Sequence, residues 1–476
     1  MELNHASKFK RLSGFLLLAL ALSLIWTQSA RAQSQDTQKP DVQQLKAKLE
    51  QLEQMMNDLK GQISVMEGAP KTPVSGISAE KPTAETYGGQ TTVSKPEESQ
   101  KPKSTALTFY GFAMADTGYN FGETDPNWFD TLRPTKLDSF PGQFAPADQV
   151  YFSVRQSRFG VKSTTSTIFG DLKTIFEFDM YGVGVDAGQT TIRLRHAWGE
   201  LKHIGGGQTN STFMDIDVFP NVLDYWGPNG MVFFRNVQVR WMPIAGDSHL
   251  WFALERPGSS GDAGVYADRI ELQNISPRDA WPDLTMQARL ARNWGHVQIA
   301  GIFRDIRWVD TLPGATNFSG SAFGAGVNVS SVIKFTQKDT GRFSVVYGHG
   351  IENYMNDAPI DIGAQTNPGN AVSPIKGVAL PVLGIVSYLD HTWSDRFTSA
   401  IGYSMVNITN SNAELPSDFH QGYYASANLL YYPVKSVMMG GEFLYGRRVD
   451  FSSGFNVNDY RLQFSFKYDW SKGFEF

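Results

Sequence analysis

The sequence predicts an all-β fold, a 16-stranded antiparallel transmembrane β-barrel preceded by a short α-helical coiled-coil segment. Three observations lead to this prediction. The last stretch, Asp459 to Phe476, alternates between apolar and polar residues. Residues 107–476 repeat alternating segments that are separated in turn by short and long polar stretches. After the N-terminus, no apolar run approaches the ~18 residues of a membrane helix.

The C-terminal segment indicates a strand that crosses a membrane. Even-numbered residues from Tyr460 to Trp470 are apolar or aromatic, and the odd-numbered residues between them are polar or charged. Successive side chains of a strand point to opposite faces. About 10 alternating residues is the length of a strand tilted through a bilayer. Since unpaired backbone groups in lipid cost several kcal/mol each, this strand must pair and close a barrel.

Turns and loops alternate along the remaining chain as they do in outer-membrane barrels. Seven short turns are expected near 163–167, 205–210, 243–247, 293–296, 337–340, 394–395 and 433–435. Eight longer loops are expected near 118–148, 182–188, 219–230, 257–282, 309–320, 352–376, 410–418 and 449–457. The short turns and both termini are predicted to be periplasmic. Aromatic residues typical of a membrane interface lie near the short turns: Trp241, Trp294, Phe335, Trp393, Tyr432 and Trp470.

The N-terminus predicts export. Basic residues up to Arg11 precede an apolar run, and Ala30-Arg31-Ala32 offers the small residues that a signal peptidase needs. We predict a signal peptide over 1–32. The alternative is an uncleaved membrane anchor, for which the apolar run is short.

A heptad repeat follows and predicts a periplasmic coiled-coil helix over 41–67. Its apolar residues are spaced alternately by three and four positions, which is the pattern of helices that associate. The residues expected to drive oligomerisation are Leu45, Leu49, Leu52, Met56, Leu59 and Ile63. The alternative is an amphipathic helix that packs on its own domain. Residues 68–104, rich in Pro, Ser, Thr, Glu and Lys, are predicted to be a flexible linker before the barrel at 105–476.

Composition argues against several classes of function. The chain has 476 residues, a formal net charge of −5 and no cysteine, so disulfides and thiolate metal sites are excluded. Its eight histidines are scattered, and no serine lies in a Gly-x-Ser-x-Gly elbow. We therefore expect no enzyme activity, no cofactor, no metal site and no nucleic-acid partner.

The charged residues of the strands predict a basic lumen. Because Lys or Arg facing lipid at the midplane costs ~2–4 kcal/mol, charges on alternating strands should point inward. The predicted pore-lining basic residues are Arg158, Lys162, Lys173, Arg193, Arg195, Arg240 and Arg289. Arg304 is a further candidate, and Glu177 and Asp179 are the predicted acidic ones. For any single arginine the alternative is a structural ion pair with one of these acids.

A wall of arginines would concentrate anions, and the guanidinium fork suits carboxylates. The best candidate for a constriction loop is 219–230, which carries Asp224, Tyr225 and Trp226. We expect Asp224 to face the arginines across the pore. The alternative is an ordinary surface turn.

Several segments carry a family resemblance. Ser157-Arg-Phe-Gly-Val-Lys162, residues 170–177 and Arg193-Leu-Arg-His-Ala-Trp198 resemble the start of Gram-negative general diffusion porins. Residues 440–448 and 460–468, with the heptads, resemble the DcaP-like trimeric porins. The resemblance implies a homotrimer with a periplasmic coiled coil and passive uptake of small anions such as dicarboxylates. It matches Arg158, Arg193 and Arg195 to the basic wall of the pore. His196 departs from the apolar residue usual there and is expected to face outward.

The sequence thus predicts an outer-membrane porin with an anion-preferring channel for small carboxylates. Its expected partners are outer-membrane lipid, small anionic solutes, and the assembly machinery through the C-terminal strand that ends at Phe476. The alternatives are a porin for sugars or other neutral nutrients, which would need lumen-facing aromatics, and a structural envelope barrel.

Overall fold

The computed structural model describes residues 104–476, which form strands, loops and short 3₁₀ helices. The strands are β1 (Thr105–Asn120), β2 (Gln149–Ser153), β3 (Arg158–Thr167), β4 (Gly170–Tyr181), β5 (Thr190–Leu201), β6 (Ile204–Asn210), β7 (Arg235–Ile244), β8 (His249–Glu255), β9 (Gly261–Asp262), β10 (Ile275–Pro277), β11 (Asp283–Arg292), β12 (Gly295–Asp310), β13 (Gly320–Lys334), β14 (Asp339–His349), β15 (Ile362–Thr366), β16 (Ile375–Ala379), β17 (Pro381–Ser394), β18 (Phe397–Ile408), β19 (Phe419–Val434), β20 (Val437–Asp450) and β21 (Asn456–Glu475). The 3₁₀ helices are Pro134–Lys136, Gly184–Asp186, Ile216–Val218, Gly264–Tyr266, Ile270–Asn274 and Glu352–Tyr354.

Sixteen of these strands form a closed antiparallel barrel, which confirms the predicted all-β, 16-stranded barrel. Each strand pairs with its neighbours along the chain, and β1 pairs with β21 from Ala106↔Glu475 to Asn120↔Arg461 to close the ring. Strand β2 pairs with β1 beyond the end of β3, and strand β10 pairs with β12 beyond the end of β11. Both therefore extend the barrel wall. The strands β9, β15 and β16 form a separate small sheet.

The alternation of β21 separates a lipid-facing surface from the interior. Its odd-numbered residues, such as Arg461 (1% exposed) and Gln463 (0%), are buried. Its even-numbered apolar residues, such as Phe464 (57% exposed) and Phe466 (46%), lie on the outer surface. Since apolar side chains on an outer surface require hydrocarbon around them, the exposed face is the lipid face.

Seven short connections define one end of the barrel, here named the short-turn end, and eight longer ones define the long-loop end. Two predicted turns were misplaced. The turn expected at 205–210 is wrong, because these residues belong to β6 and the turn lies at Lys202 and His203. A Cβ on Gly205 would lie 2.1 Å from the ring of Trp198, so this glycine permits close packing within the sheet. Likewise, 163–167 lies in β3, and the turn follows at 168–169.

Four of the six aromatic residues predicted near the short-turn end are exposed, and Trp470 is half-buried beside Phe159. Trp241, Trp294, Phe335 and Trp393 lie on the outer surface. Tyr432 instead faces the interior, where its Oη lies 3.4 Å from the side-chain nitrogen of Asn221. The register shift between Tyr431 and Val434 accompanies this change of face.

Part of the barrel interior is a packed apolar core. Two segments that connect barrel strands, 211–234 and 350–358, bring buried apolar side chains against the inner wall of β12, β14, β17 and β18. The wall residues of this cluster are Ala300, Ile302, Val346, Val382, Val406 and Ile408, and the inserted ones include Phe213, Val232, Ile351 and Tyr354. Water and solutes are therefore confined to the remaining part of the lumen.

The predicted signal peptide, coiled coil with its oligomerisation residues, and nearly all of the linker lie outside the described residues, so they stay predictions. Within residues 104–476, no helix is long and apolar enough to cross a membrane.

The facing of β21 generates a stability prediction. Phe464→Arg places a guanidinium in lipid and should lower the free energy of unfolding by about 2–4 kcal/mol if the residue lies near the midplane. Ser471→Arg, at the exposed short-turn end of the same strand, is the matched control and should cost far less. Denaturant unfolding in lipid vesicles measures both. Equal costs would contradict the assigned face.

Candidate functional site

The connection between β6 and β7, residues 211–234, runs through the barrel interior and is named here the inward loop. Hydrogen bonds attach it to the inner wall on several sides. They join Ser211 to Glu255 (2.8 Å), Asp215 to Ser330 (2.7 Å), Asn229 to Gly422 (2.9 Å) and Gly230 to Ser404 (2.8 Å). The loop therefore narrows the lumen and divides it into a part near the long loops and a part near the short turns.

Tyr225 connects the inward loop to the wall formed by β4 and β5. Its hydroxyl contacts Asp179 and Arg193 and accepts a hydrogen bond from Arg195 Nη1 (3.0 Å). Its ring stacks on that of Tyr181, with ring centroids 4.0 Å apart and planes within 6°. The loop is thus held against the arginine wall by a tyrosine.

Asp224 is placed differently from the expectation, which was wrong on this point. Its carboxylate accepts hydrogen bonds from Leu132 N (3.4 Å), Gly227 N (3.4 Å) and the hydroxyl of Tyr424 (3.1 Å). It makes no ion pair with the arginines of β3 or β5 among the described residues. The side chain closes the turn at Gly227 and points away from the wall that Tyr225 contacts.

Trp226, the third predicted loop residue, borders a cavity. Its Nε1 donates to the carbonyl oxygen of Asn356 (2.7 Å). The guanidinium of Arg133 lies 4.1 Å from the ring centroids of both Trp128 and Trp226, which meet edge to face, and it pairs with Asp357 (2.8 Å).

The arginines of β3 and β5 form a network with two acids of β4. Arg193 contacts Asp179 through Nε (3.1 Å) and Nη2 (2.7 Å). Arg195 contacts Glu177 (2.6 Å) and Asp179 (2.9 Å). Arg158 Nε lies 3.6 Å from Glu177. These arginines therefore make structural ion pairs with Glu177 and Asp179, which was the alternative to a pore-lining role.

A β-bulge at Arg195 corrects the expected facing of His196. The register of β4 with β5 shifts there, so His196 lies directly opposite Glu177 on the lumen face. Its Nδ1 lies 3.0 Å from Thr209 Oγ1, and its Nε2 lies 3.9 Å from Glu177. The extra residue in the strand places two consecutive side chains on the same face.

Arg235, which sequence analysis did not assign, is a fourth guanidinium beside this network. By alternation it should share the face of Val237, yet it lies close to Arg193 and Arg195. The strands β5 and β6 pair only over Ala197–Leu201, and Arg235 lies beside the unpaired part of β5. Periodicity alone could not have revealed this position.

Counting the charges shows a positive excess. Four guanidinium groups, those of Arg158, Arg193, Arg195 and Arg235, surround two carboxylates, those of Glu177 and Asp179. Two positive charges are therefore left over. Next to them is a cavity of about 370 Å³, here named the loop cavity, which lies between the inward loop and this wall.

Arg240 faces inward but is enclosed by its neighbours. Its Nη2 donates to the carbonyl oxygen of Asn210 (2.7 Å), and its Nε donates to Gln238 (3.1 Å). Its guanidinium lies 5.0 Å from the ring of Trp198 and 4.7 Å from that of Trp251. This arginine braces the wall and offers few donors to a solute.

The predicted lysines lie apart from the arginine network. Lys162 is exposed, with Nζ 5.7 Å from the ring of Tyr110. Lys173 is mostly exposed and lies 3.5 Å from Glu200. Arg304, the further candidate, is buried on the inner wall and is bound to two acids, Asp283 and Asp361, each at 3.0 Å.

Arg289 belongs to a second basic cluster near the short-turn end. A cavity of about 480 Å³ is lined there by Arg289, Arg342 and Lys334, and also by the acids Asp217 and Asp247. Arg289 contacts Asp217 and lies 3.8 Å from Asp215. Basic side chains are therefore present on both sides of the inward loop.

Among residues 104–476, two of these acids and a histidine form a group that could offer ligands to a metal. Side-chain atoms of Asp215, Asp217 and His296 lie within 4.8 Å of one another. The Nη2 atom of Arg289 donates to His296 Nδ1 (2.8 Å), and His296 Nε2 lies 2.7 Å from Asp215. Because a guanidinium already supplies the positive charge, this arrangement is an ion-pair network and a poor cation site.

Asp224 generates a pH prediction. Burial raises its pKa to about 6, although Arg461, Tyr424 and two backbone amides favour the charged form. Because the pKa is raised when Asp224 is buried, docking of the inward loop is favoured while this carboxyl group is protonated. Its contribution to the free energy of docking, up to about 3 kcal/mol, is lost as the pH rises through about 6.

We therefore expect fewer spontaneous current closures in single-channel recordings at pH 5 than at pH 7.5. The variant Asp224→Asn, neutral at both pH values, should show little difference between them. A variant that keeps the full pH dependence of the native protein would assign the effect to other groups.

Comparison with known proteins identifies the family. The family model described as DcaP outer membrane protein matches residues 85–469. The outer membrane channel DcaP of Acinetobacter baumannii is 20% identical, with a TM-score of 0.63 over 77% of this chain and 97% of that one. OmpT of Vibrio cholerae (13% identity, TM-score 0.46, 79% and 100% covered) and an anion-selective porin from Comamonas acidovorans (8%, 0.48, 77% and 100%) are more distant. No curated protein matches significantly. The chain belongs to the DcaP outer membrane protein family and is an outer-membrane porin.

Proposed function

We propose that this porin prefers anions and serves the passive uptake of small carboxylates, including dicarboxylates. The observation that carries the proposal is the excess of two guanidinium charges beside the inward loop, where four arginines surround only Glu177 and Asp179. In a narrow lumen with packed apolar walls, such an excess raises the local concentration of anions.

Carboxylates fit this wall better than simple halides do. The fork of Arg193 already holds one carboxylate, that of Asp179, through two nitrogens. Arg235 makes no ion pair within residues 104–476 and can offer paired donors to a solute. A second basic cluster, with Arg289, Arg342 and Lys334, lies beyond the inward loop. In that cluster Arg289 is paired with Asp215 and Asp217, and Arg342 is paired with Asp390 (2.6 Å), so the excess positive charge lies on the Arg235 side of the loop.

A channel for sugars is the second candidate, and one observation favours it. Aromatic rings do gather inside the barrel: the centroids of neighbouring rings among Trp128, Tyr181, Tyr225 and Trp226 lie 4.0–6.4 Å apart. Tyr181 is fully buried, however, and Trp128 is 9% exposed. These rings pack against each other and against Arg133, so they offer little surface on which a sugar could slide.

The ion-preference prediction uses Arg235. In planar bilayers with a salt gradient, the native protein should show a reversal potential whose sign indicates preference for anions. Arg235→Gln should lower the anion-to-cation permeability ratio by at least about twofold, because it removes one of two excess charges. Arg307→Gln is the matched control, since Arg307 lies on the outer face and pairs with Asp305 (2.8 Å). A native reversal potential that indicates preference for cations, or equal changes of the permeability ratio in both variants, would refute the proposal.

We also propose a homotrimer whose coiled coil, residues 41–67, lies in the periplasm. The heptad repeat and the family resemblance support this proposal. Chemical cross-linking of the detergent-solubilised mature protein should give trimers, and deletion of 41–67 should reduce their yield or heat resistance. Monomers in both proteins would contradict the proposal.

A further inference from the structure

We propose that the loop cavity binds zwitterionic amino acids, with the carboxylate of the solute on the Arg193–Arg235 wall and its ammonium group beside Glu352. This inference deepens the proposed function and rests on it. The cavity of about 370 Å³ falls in the range of about 300–1,000 Å³ typical of small-molecule sites. Residues of opposite charge line it, and on each side one of them lacks a partner.

Arg235 is the unpartnered cation. Its neighbours Arg193 and Arg195 are bound to Asp179 and Glu177, whereas Arg235 has no carboxylate within ion-pair distance among the described residues. Its Nε is buried and has no hydrogen-bond partner there. A buried donor without an acceptor is costly, so a ligand carboxylate that reaches it gains a charge-assisted hydrogen bond.

Glu352 is the unpartnered acid. It is 0% exposed, and neither of its carboxyl oxygens accepts a hydrogen bond of good geometry within residues 104–476. The nearby cation, Arg304, is already bound to Asp283 and Asp361. Burial and the charge of Asp361 raise the pKa of Glu352 well above its ordinary value. The backbone amides of Glu352 and Ile351 and the charge of Arg304 oppose this shift only in part.

The two sides together favour a dipolar ligand. The wall has excess positive charge, and the segment around Glu352 has three carboxyl groups for one guanidinium. A dicarboxylate would satisfy only the wall and would leave Glu352 without a cation. An amino acid supplies both the acceptor that Arg235 lacks and the cation that Glu352 lacks.

The experiment compares ω-amino acids with carboxylates of matched length. Glycine, 4-aminobutyrate and 6-aminohexanoate are tested against acetate, butyrate and hexanoate as blockers of single-channel current at pH 7.5. At one chain length or more, the amino acid should bind at least about tenfold more tightly than its matched carboxylate. Glu352→Gln should abolish this preference, whereas Arg235→Gln should weaken the binding of both series.

The outcomes separate this inference from the proposed function. If carboxylates bind but no amino acid binds more tightly than the carboxylate of matched length, the zwitterion site is refuted and the anion channel stands. If neither series interacts and the reversal potential is not anionic, the proposed function fails. Should Glu352→Gln not form channels of native conductance, the comparison of ligands on the native protein still decides.

Discussion

Satisfaction of backbone hydrogen bonds in a medium without water is the constraint on which this structure depends. The pairing of β1 with β21 along nearly their whole length removes the last free edge, so each strand of the ring has neighbours on both sides. The same pairing fixes which face of every strand meets lipid. The face that most charged side chains of the strands occupy follows from that closure.

Closure alone does not make a channel narrow or basic. The inward loop narrows the lumen by crossing it and binding to the wall at several points, and the arginines of β3, β5 and β7 supply the positive charge. Tyr225 brings the loop to the arginines, and the apolar side of the loop packs against β12, β14, β17 and β18. What remains of the lumen includes the loop cavity beside the arginines of β5 and β7 and the cavity lined by Arg289, Arg342 and Lys334.

Sequence periodicity predicted the fold class, the sixteen strands and the face of most strand residues, because these depend on local alternation. It failed where the backbone departs from regular pairing. His196 is on the lumen face because a bulge adds one residue at Arg195, and Gly205 lies within β6 because a ring occupies the space of its missing side chain. The partners of Tyr225, the isolation of Arg235 and the burial of Glu352 arise from contacts between residues far apart in the chain, which alternation does not encode.

The packed core beneath the inward loop also constrains how such a channel can evolve. Phe213 and Val232 from the loop share one core with Ile302 and Val382 from the wall, so the segment that sets the aperture also supports the barrel. A substitution that widened the opening by removing these side chains would leave voids in the structural framework. The width of the channel and the stability of the barrel thus depend on the same side chains. New solute preferences are more readily gained by exchanging polar groups along the charged wall.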